Sequence, residues 1–440
     1  MFSLYLDVLR LLGAIMVVLA HWAFPRFTGS DHMWARQHDL GGDGVVIFFV
    51  LSGLLIAYTA DKRAAEGPSL FAADRLSRLW SVALPALILC YILDLIGQAA
   101  SPDIYAIVGF DGGVSWQSLL AGATFTNEIW FFSSQPGSNG PYWSLGYEAW
   151  YYAIFAGFFF APKRWKWWLA GALALIAGPK IWLLAPSWLL GVAVWQLIKS
   201  GRLDAVSRQT GWILTLAPLF LYVMLHAQSF HWLLRAQTET LIGEAGMLMI
   251  GPSDTFAWAA ILGVLTSMHV LGVSRLMRET SDAPRTVPFE RSIRWLAGGS
   301  FALYLIHFPV MHILTAYLPG SVDDAWRQAA LLILPCLAAY LFAEVTERRR
   351  PAMNAQALSE RRLEFLTILD QTFHSLDRRV EHFLFTVIEV ELDDFFCTVR
   401  PDQGWDTDIE PAKTVLAITP GRRGQDAFLV FQIRLGHRNR

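Results

Sequence analysis

Residues 1–24 read MFSLYLDVLRLLGAIMVVLAHWAF, and this stretch decides how the rest of the chain is interpreted. From Leu4 to Ala20 it is apolar except for Asp7 and Arg10, and a helix needs about 20 apolar residues to cross a bilayer. Arg10 precedes the longest apolar run, and no small-residue cleavage site follows that run. We therefore predict a retained first membrane span and not a cleaved signal peptide.

Similar apolar stretches recur along the 440 residues. Hydrophobic residues make up 54% of the chain and charged residues only 16%, against about 25% charged in an average soluble domain. The composition predicts an all-α polytopic membrane protein with about ten transmembrane helices. The predicted spans are 4–24, 43–60, 77–97, 142–161, 166–178, 181–198, 212–227, 255–274, 296–318 and 327–346. The segment 114–132 is broken by Asn127 and Glu128 and is placed at the outer surface.

The density of charge rises after the last span. Of the 72 Lys, Arg, Asp and Glu residues, 25 fall in residues 352–440. We predict a ten-helix transmembrane domain over 1–351 and a charged cytoplasmic C-terminal extension over 352–440. The extension combines a helix-prone stretch at 358–384 with β-prone pieces such as 428–435. A small α+β domain and a partly disordered tail are both compatible with it.

The orientation follows from the Lys and Arg residues of the short loops. With the N-terminus in the cytoplasm, the inner loops hold fifteen of these residues and the outer loops five, as the positive-inside rule requires. We therefore expect a multi-pass protein of a bacterial inner membrane with both termini cytoplasmic. The net charge of −2 gives no reason to expect nucleic acid as a partner.

Arg10 and His21 share one face of the first span. They are eleven residues apart, which is about 20° past three full turns and about 16 Å along the axis. Arg10 would lie toward the cytoplasm and His21 near the outer end. A guanidinium holds anions bidentately, and a neutral imidazole accepts a hydroxyl proton near neutral pH. The alternative for His21, which precedes Trp22, is an interfacial residue.

Later spans add further ionisable and polar residues. Ser52 and Gly53 end the run FFVLSG at 48–53, which favours close helix packing over a catalytic serine. Trp143, Ser144 and Glu148 lie in YWSLGYE at 142–148. Glu148 is expected at a depth similar to His21, where it would orient the imidazole, bind acceptor hydroxyls or form a structural hydrogen bond.

The stretch SFALYLIHFP at 300–309 contains Tyr304 and, near the middle of the ninth span, His307. Pro309 would kink that helix beside a cavity. No acidic residue at helical spacing supports a metal site, so no metal is predicted. Arg75 and Arg78 lie on one face where the third span begins. They either hold phosphates of a cytoplasmic ligand or anchor the helix at the membrane surface.

These motifs, in this order, resemble those of the membrane-bound acyltransferase-3 family. The resemblance rests on the runs 9–21, 44–53, 143–148 and 304–309 and covers about residues 4–350. It implies a ten-helix core that moves an acyl group, usually acetyl, from cytoplasmic acyl-CoA to a hydroxyl. Arg10 and His21 match the family's essential pair, and Glu148 matches its acidic position.

The chain departs from the family pattern at one position and lacks one feature of some members. Val46 stands where members often carry an acid, so the role of that acid is either absent here or taken over by another residue such as Asp43. Some members also carry an extracytoplasmic SGNH hydrolase-like domain, whereas the tail here has no Gly-Asp-Ser nucleophile motif. A stand-alone transferase is therefore expected.

The resulting hypothesis is O-acyl transfer to a cell-surface or lipid-linked carbohydrate, with acyl-CoA as a donor substrate and no bound cofactor. Arg10, His21 and Glu148 are the catalytic candidates. The candidates for substrate binding are Arg75, Arg78, Trp143, Ser144, Tyr304 and His307. His21 would act as a general base, or it would carry the acyl group. The rivals are a glycan or lipid exporter that uses Arg10 and His21, and a sensor with the tail as output module. Whether copies of the chain associate is left open.

Overall fold

The computed structural model of the protein describes residues 1–106, 115–278, 288–348, 417–420 and 427–430. The chain divides into two units, Met1–Arg361 and Arg362–Arg440. In the second unit, two short strands are described, β1 (Ala417–Pro420) and β2 (Ala427–Val430), which pair antiparallel with Ala417 opposite Val430. The predictions for the rest of 352–440, including the helix-prone stretch, lie outside the described residues.

The described part of the first unit is entirely helical in its regular structure. The helices are α1 (Phe2–Trp22), α2 (Pro25–Thr28), α3 (Trp34–Gln37), α4 (Leu40–Lys62), α5 (Gly67–Ala100), α6 (Pro102–Ala106), α7 (Trp116–Ala123), α8 (Trp143–Phe160), α9 (Lys166–Ala177), α10 (Pro179–Lys199), α11 (Arg208–Ala227), α12 (Phe230–Ile250), α13 (Phe256–Arg278), α14 (Glu290–Ala297), α15 (Ser300–Tyr317) and α16 (Ala325–Thr346). Short 3-10 turns precede α5, α8, α11 and α13.

The all-α polytopic membrane fold is confirmed. Eight helical stretches of the described chain are long and apolar enough to cross a membrane. Each of the ten predicted spans coincides with a helix, but α9 is only 12 residues long. The Trp- and Tyr-rich α8 is not among the eight.

Helix α12 was not predicted, because Arg235, Glu239 and Glu244 interrupt its apolar residues. Its backbone is broken at Gly243, where φ is 72°. Leu241 and Leu248 are 84% and 78% exposed, so α12 presents apolar side chains outward. The sequence-based prediction had treated this region as a loop.

Glycines allow α4 to pack closely between α1 and α10. A Cβ on Gly44 would lie 2.6 Å from the carbonyl oxygen of Gly13, and one on Gly53 would lie 2.0 Å from that of Trp188. Small residues permit such backbone approach between membrane helices. The contacts hold α1 and α10 against opposite parts of α4 and so fix the helix that carries Arg10 and His21.

Buried polar contacts hold the loop that leads into α8. The carboxylate of Asp94 accepts hydrogen bonds from the backbone N–H of Ser138 at 2.7 Å and from its hydroxyl at 2.6 Å. The amide of Asn139 donates to the carbonyl of Leu305 in α15 at 2.8 Å. These contacts fix the start of α8 relative to α5 and α15.

Within the segment 114–132, Glu128 is buried and not at a solvent-facing surface. It forms an ion pair with Lys180 at 2.5 Å, and the two side chains are 4% and 1% exposed. A buried charge is tolerated when it is paired and hydrogen-bonded. The pair ties this segment to the start of α10.

Candidate active site

Two cavities lie along the helix that carries Arg10 and His21. The first, the arginine cavity, is lined by Arg10, Arg75, Arg78, Ser52, Glu148 and Tyr152 together with apolar side chains. The second, the histidine cavity, has a volume of about 530 Å³ and is lined by His21, Arg36, Asp39, Trp143, Arg235 and Asp254 among others. Tyr304 and Val45 line both. Helix α1 therefore contributes the guanidinium of Arg10 to the arginine cavity and the imidazole of His21 to the histidine cavity.

Three guanidinium groups meet in the arginine cavity. Arg10 approaches Asp7 at 3.3 Å, and Asp7 also pairs with Arg294 at 3.1 Å. Arg75 is buried and pairs with Asp74 at 2.5 Å. The sequence predicts Arg10 as a catalytic residue and Arg75 and Arg78 as substrate-binding residues, and the structure brings all three to one cavity.

A carboxylate that the sequence analysis did not select lies close to these arginines. Glu347, just after α16, accepts a hydrogen bond from the backbone N–H of Ala302 at 3.1 Å. Burial raises its pKa to about 7, although Arg78 and Arg10 oppose the shift. At neutral pH this carboxyl is therefore only partly ionised.

Glu148 belongs to the arginine cavity and not to the environment of His21. Its Oε1 accepts hydrogen bonds from the hydroxyl of Ser52 at 2.6 Å and from that of Tyr152. The indole N–H of Trp188 donates to the same Ser52 hydroxyl at 3.2 Å. The expectation that Glu148 lies at the depth of His21 and orients its imidazole is corrected, because hydroxyls of α4 and α8 engage the carboxylate.

The partner of His21 is His307. His21 Nδ1 lies 3.1 Å from His307 Nε2, and His307 Nδ1 lies 2.8 Å from the carbonyl oxygen of Leu303. A carbonyl only accepts, so His307 carries its proton on Nδ1 and its Nε2 is the acceptor. His21 must then donate through Nδ1, and its Nε2 keeps a free lone pair. His307, which the sequence predicts as a substrate-binding residue, therefore contacts His21 directly and fixes the tautomer of its imidazole.

Aromatic rings hold the His21 imidazole from its other sides. The ring of Phe308 lies 4.5 Å from it and that of Phe24 lies 6.1 Å away in a stacked arrangement. His307 itself is fully buried. The His21 imidazole is therefore packed on these sides and is accessible from the histidine cavity.

Tyr304 and Ser144 lie where the two cavities approach each other. Their hydroxyls are 2.6 Å apart, and Tyr304 donates to the carbonyl of Pro141 at 2.8 Å. Trp143, the residue before Ser144, lines the histidine cavity. Its ring packs edge-on against that of Tyr147, with 5.1 Å between the ring centres. The predicted residues of α8 and α15 thus form the boundary between the cavities.

Within the described residues, no group of three or more His, Cys, Asp or Glu side chains is arranged to hold a metal ion. The histidine cavity also contains three residues that the sequence does not select, because they lie between the predicted spans: Arg36, Asp39 and Asp254. Their position depends on α3 packing against α1 and on His231 and Trp232 of α12 contacting the carbonyl oxygen of Gln37. No local sequence pattern predicts that arrangement.

A helical bundle of this kind, with two cavities that meet at Tyr304 and Val45, defines a multi-pass membrane protein with ionisable side chains in its interior. Residues 3–344 match the sequence model described as the acyltransferase domain of the acyltransferase-3 type, so the chain belongs to this family. The resemblance seen in the sequence is thereby confirmed. No solved structure gives a significant match to the chain.

Two curated relatives add detail. The chain is 28% identical over 142 residues to the exopolysaccharide production protein ExoZ of Rhizobium meliloti (strain 1021), covering 30% of this chain and 38% of that protein. It is 23% identical over 368 residues to the peptidoglycan O-acetyltransferase OatA of Listeria monocytogenes serovar 1/2a, covering 78% of this chain and 54% of the relative. The match thus spans about half, or less, of the length of each of these relatives.

Proposed function

We propose that the protein transfers an acetyl group from cytoplasmic acetyl-CoA to a hydroxyl of a cell-envelope carbohydrate at the opposite face of the membrane. The observation that carries the proposal is the pairing of His21 with His307 at 3.1 Å, which leaves His21 Nε2 free to accept a proton. Membership of the acyltransferase-3 family supports the reaction class. The names of the two relatives support a polysaccharide acceptor.

The arginine cavity is the proposed donor site. Arg10, Arg75 and Arg78 would bind the phosphates of the coenzyme, because guanidinium–phosphate hydrogen bonds are charge-assisted and often bidentate. The remaining lining is largely apolar, including Phe48, Phe49 and Leu55, and suits the pantetheine arm. The thioester would then lie toward Tyr304, at the boundary with the histidine cavity.

In the proposed chemical step, His21 Nε2 removes the proton of the acceptor hydroxyl while that oxygen attacks the thioester carbonyl carbon. The carbon–sulfur bond breaks, and the thiolate of coenzyme A leaves and takes up the proton from the imidazolium. His307 Nε2 accepts a hydrogen bond from His21 Nδ1 throughout and stabilises the imidazolium. The transfer thus yields an ester and free coenzyme A, with no other reactant.

The proposed orientation places Arg10, the N-terminus and the C-terminal extension in the cytoplasm of a bacterium and His21 toward the outer face of its inner membrane. The positive loops of the sequence support it. Single cysteines introduced at exposed positions beside Lys62 and beside Trp34 would be labelled from opposite faces in right-side-out vesicles. Labelling of both from the same face would exclude the orientation.

The function is tested with the full chain in proteoliposomes that are supplied with labelled acetyl-CoA and a cell-wall oligosaccharide mixture. His21→Gln should lower the rate of label transfer about 10²- to 10⁴-fold, the usual contribution of a general base. The matched control is His269→Gln, since His269 lies in α13 and lines neither described cavity. Undiminished transfer by the His21 variant would contradict the mechanism.

The same assay distinguishes enzyme from exporter and base from acyl carrier. An exporter moves the oligosaccharide without consuming acetyl-CoA, whereas the proposed enzyme releases free coenzyme A in step with ester formation. With acceptor omitted, the proposed mechanism should give no burst of coenzyme A release in the first turnover. A burst equal to the amount of protein would instead indicate an acetyl-histidine intermediate and contradict simple proton abstraction by His21.

A further inference from the structure

Two arginines flank one aromatic ring beside His21. The guanidinium of Arg36 lies 3.5 Å from the centre of the Phe24 ring, and that of Arg26 lies 4.4 Å from it. Arg26 also lies 5.3 Å from the centre of the Phe308 ring. A guanidinium stacked on a ring keeps its edge N–H groups available as donors. This arrangement of Arg26, Arg36 and Phe24 is called here the arginine clamp.

Among the described residues, neither arginine of the clamp forms an ion pair with a carboxylate. The Nε of Arg26 is buried without a hydrogen-bond partner, and Arg36 donates at 3.4 Å only to the carbonyl of Ala20. In the same cavity, by contrast, Arg235 pairs with Asp254 at 2.7 Å. The histidine cavity thus contains one ion-paired arginine, Arg235, and a second, Arg36, which interacts with the Asp39 carboxylate without a direct ion pair. Arg26 lies beside Arg36 but does not line the cavity.

The charge of the clamp persists at neutral pH. Burial and the neighbouring Arg36 lower the pKa of Arg26 to about 10, which still leaves it protonated. Asp39 lines the same cavity, but burial and nearby Asp43 raise its pKa to about 7, so it is only partly ionised. Two partly buried like charges are stabilised by a bound anion.

The clamp lies next to the proposed base. Arg36 contacts the carbonyl of Ala20, the residue before His21, and Phe24 stacks on the His21 ring. The histidine cavity, at about 530 Å³, lies in the range of small-ligand sites. An anion held by the clamp would therefore belong to the molecule whose hydroxyl faces His21.

We propose that the acceptor is an acidic carbohydrate, with a carboxylate or phosphate bound by Arg36 and Arg26 while a hydroxyl of the same molecule meets His21. This inference rests on the proposed function, since it assigns the histidine cavity to the acceptor. A neutral glycan would leave the clamp without a counter-ion. The clamp thus sets specificity by charge beside the reacting hydroxyl.

The test measures equilibrium binding of defined probes to the purified full chain in detergent without acyl-CoA. The probes are trigalacturonate and its fully methyl-esterified form, and maltotriose with and without a phosphate group. We expect at least one acidic probe to bind at least about tenfold more tightly than its neutral counterpart, as a charge-assisted contact implies. The pair that shows the difference identifies carboxylate or phosphate as the anion.

Substitutions in the clamp then test whether its arginines cause the preference for acidic probes. Arg36→Gln should bind acidic and neutral probes equally, and Arg26→Gln should reduce the preference, while binding of the neutral probe stays at the wild-type value. The matched control is Arg202→Gln, since Arg202 lies in the turn before α11 and lines neither described cavity, and it should keep the preference. Unchanged neutral-probe binding shows that the clamp variants are folded.

Equal binding of both members of each pair by the wild type would overturn the proposal. A full preference retained by Arg36→Gln would do the same. Failure of the proposed function has a different signature, namely preferential binding of the acidic probe without any acetyl transfer to it when acetyl-CoA is added.

Discussion

Replacing His307 with phenylalanine keeps a ring of similar size in the fully buried position but removes the nitrogen that accepts the hydrogen bond from His21. The Nδ1–H of His21 then loses its side-chain acceptor and keeps its backbone contact with Val17. The lost hydrogen bond is worth about 1 kcal/mol while the imidazole is neutral and up to about 3 kcal/mol once the imidazolium of the proposed step has formed. Its loss also allows the ring to rotate or to change tautomer, and both remove Nε2 from the reacting hydroxyl.

This free-energy cost predicts the loss of catalytic rate. Since about 1.4 kcal/mol corresponds to a tenfold change, we expect His307→Phe to lower kcat about 5- to 150-fold. The KM for acetyl-CoA should stay unchanged, because His307 does not line the arginine cavity. His307→Gln retains an acceptor in its amide oxygen and should recover kcat to within about threefold of the wild type, or about 0.7 kcal/mol.

The assay is steady-state acetyl transfer with purified variants, alongside thermal unfolding to show that each is folded. A wild-type kcat for His307→Phe would refute the positioning role. So would a glutamine variant as impaired as the phenylalanine variant, or a loss confined to the KM for acetyl-CoA.

Three further predictions follow from other parts of the structure. Arg10→Gln should raise the KM for acetyl-CoA at least about tenfold, the loss of one charge-assisted contact, and an unchanged KM in the same kinetic assay would remove Arg10 from the donor site. Gly53→Ala should destabilise the protein by about 1–3 kcal/mol in thermal unfolding, because its Cβ would lie 2.0 Å from the carbonyl of Trp188; Gly171→Ala, with open space around it, should not destabilise. Folding raises the pKa of Asp39 from an ordinary 3.8 to about 7. As the pH rises from about 4 to about 7, the unfolded chain therefore loses this proton before the folded chain does, and the free energy of unfolding falls. Asp39→Asn should therefore raise Tm at about pH 8 and lose that advantage below about pH 4; a pH-independent difference would contradict the shift.

The helices could be predicted because each depends on a local property of the chain. The predicted span 4–24 is largely apolar, with Asp7 and Arg10 as exceptions near its start, and is long enough to cross a bilayer. The shared face of Arg10 and His21 likewise follows from helix geometry alone. Helix α12 escaped prediction because its charged side chains and Gly243 interrupt the apolar pattern that reveals the other helices.

The pairing of side chains between helices could not be read from the sequence. Glu148 and His21 were expected at one depth from their distances to the ends of their spans. The actual partner of Glu148, Ser52, is set by how α4 and α8 pack. The hydrogen bond between His21 and His307 joins residues 286 positions apart, and only the tertiary contact of α1 with α15 produces it.

The boundary at Tyr304 has a consequence for the permeability of the membrane. Tyr304 lines both cavities, and its hydroxyl contacts that of Ser144. In the proposed reaction only an uncharged two-carbon group passes this point. An open aqueous path here would let protons leak and discharge the membrane potential, so under the proposed function the Tyr304 side chain has to limit the passage of water and ions while it lets the acetyl group pass.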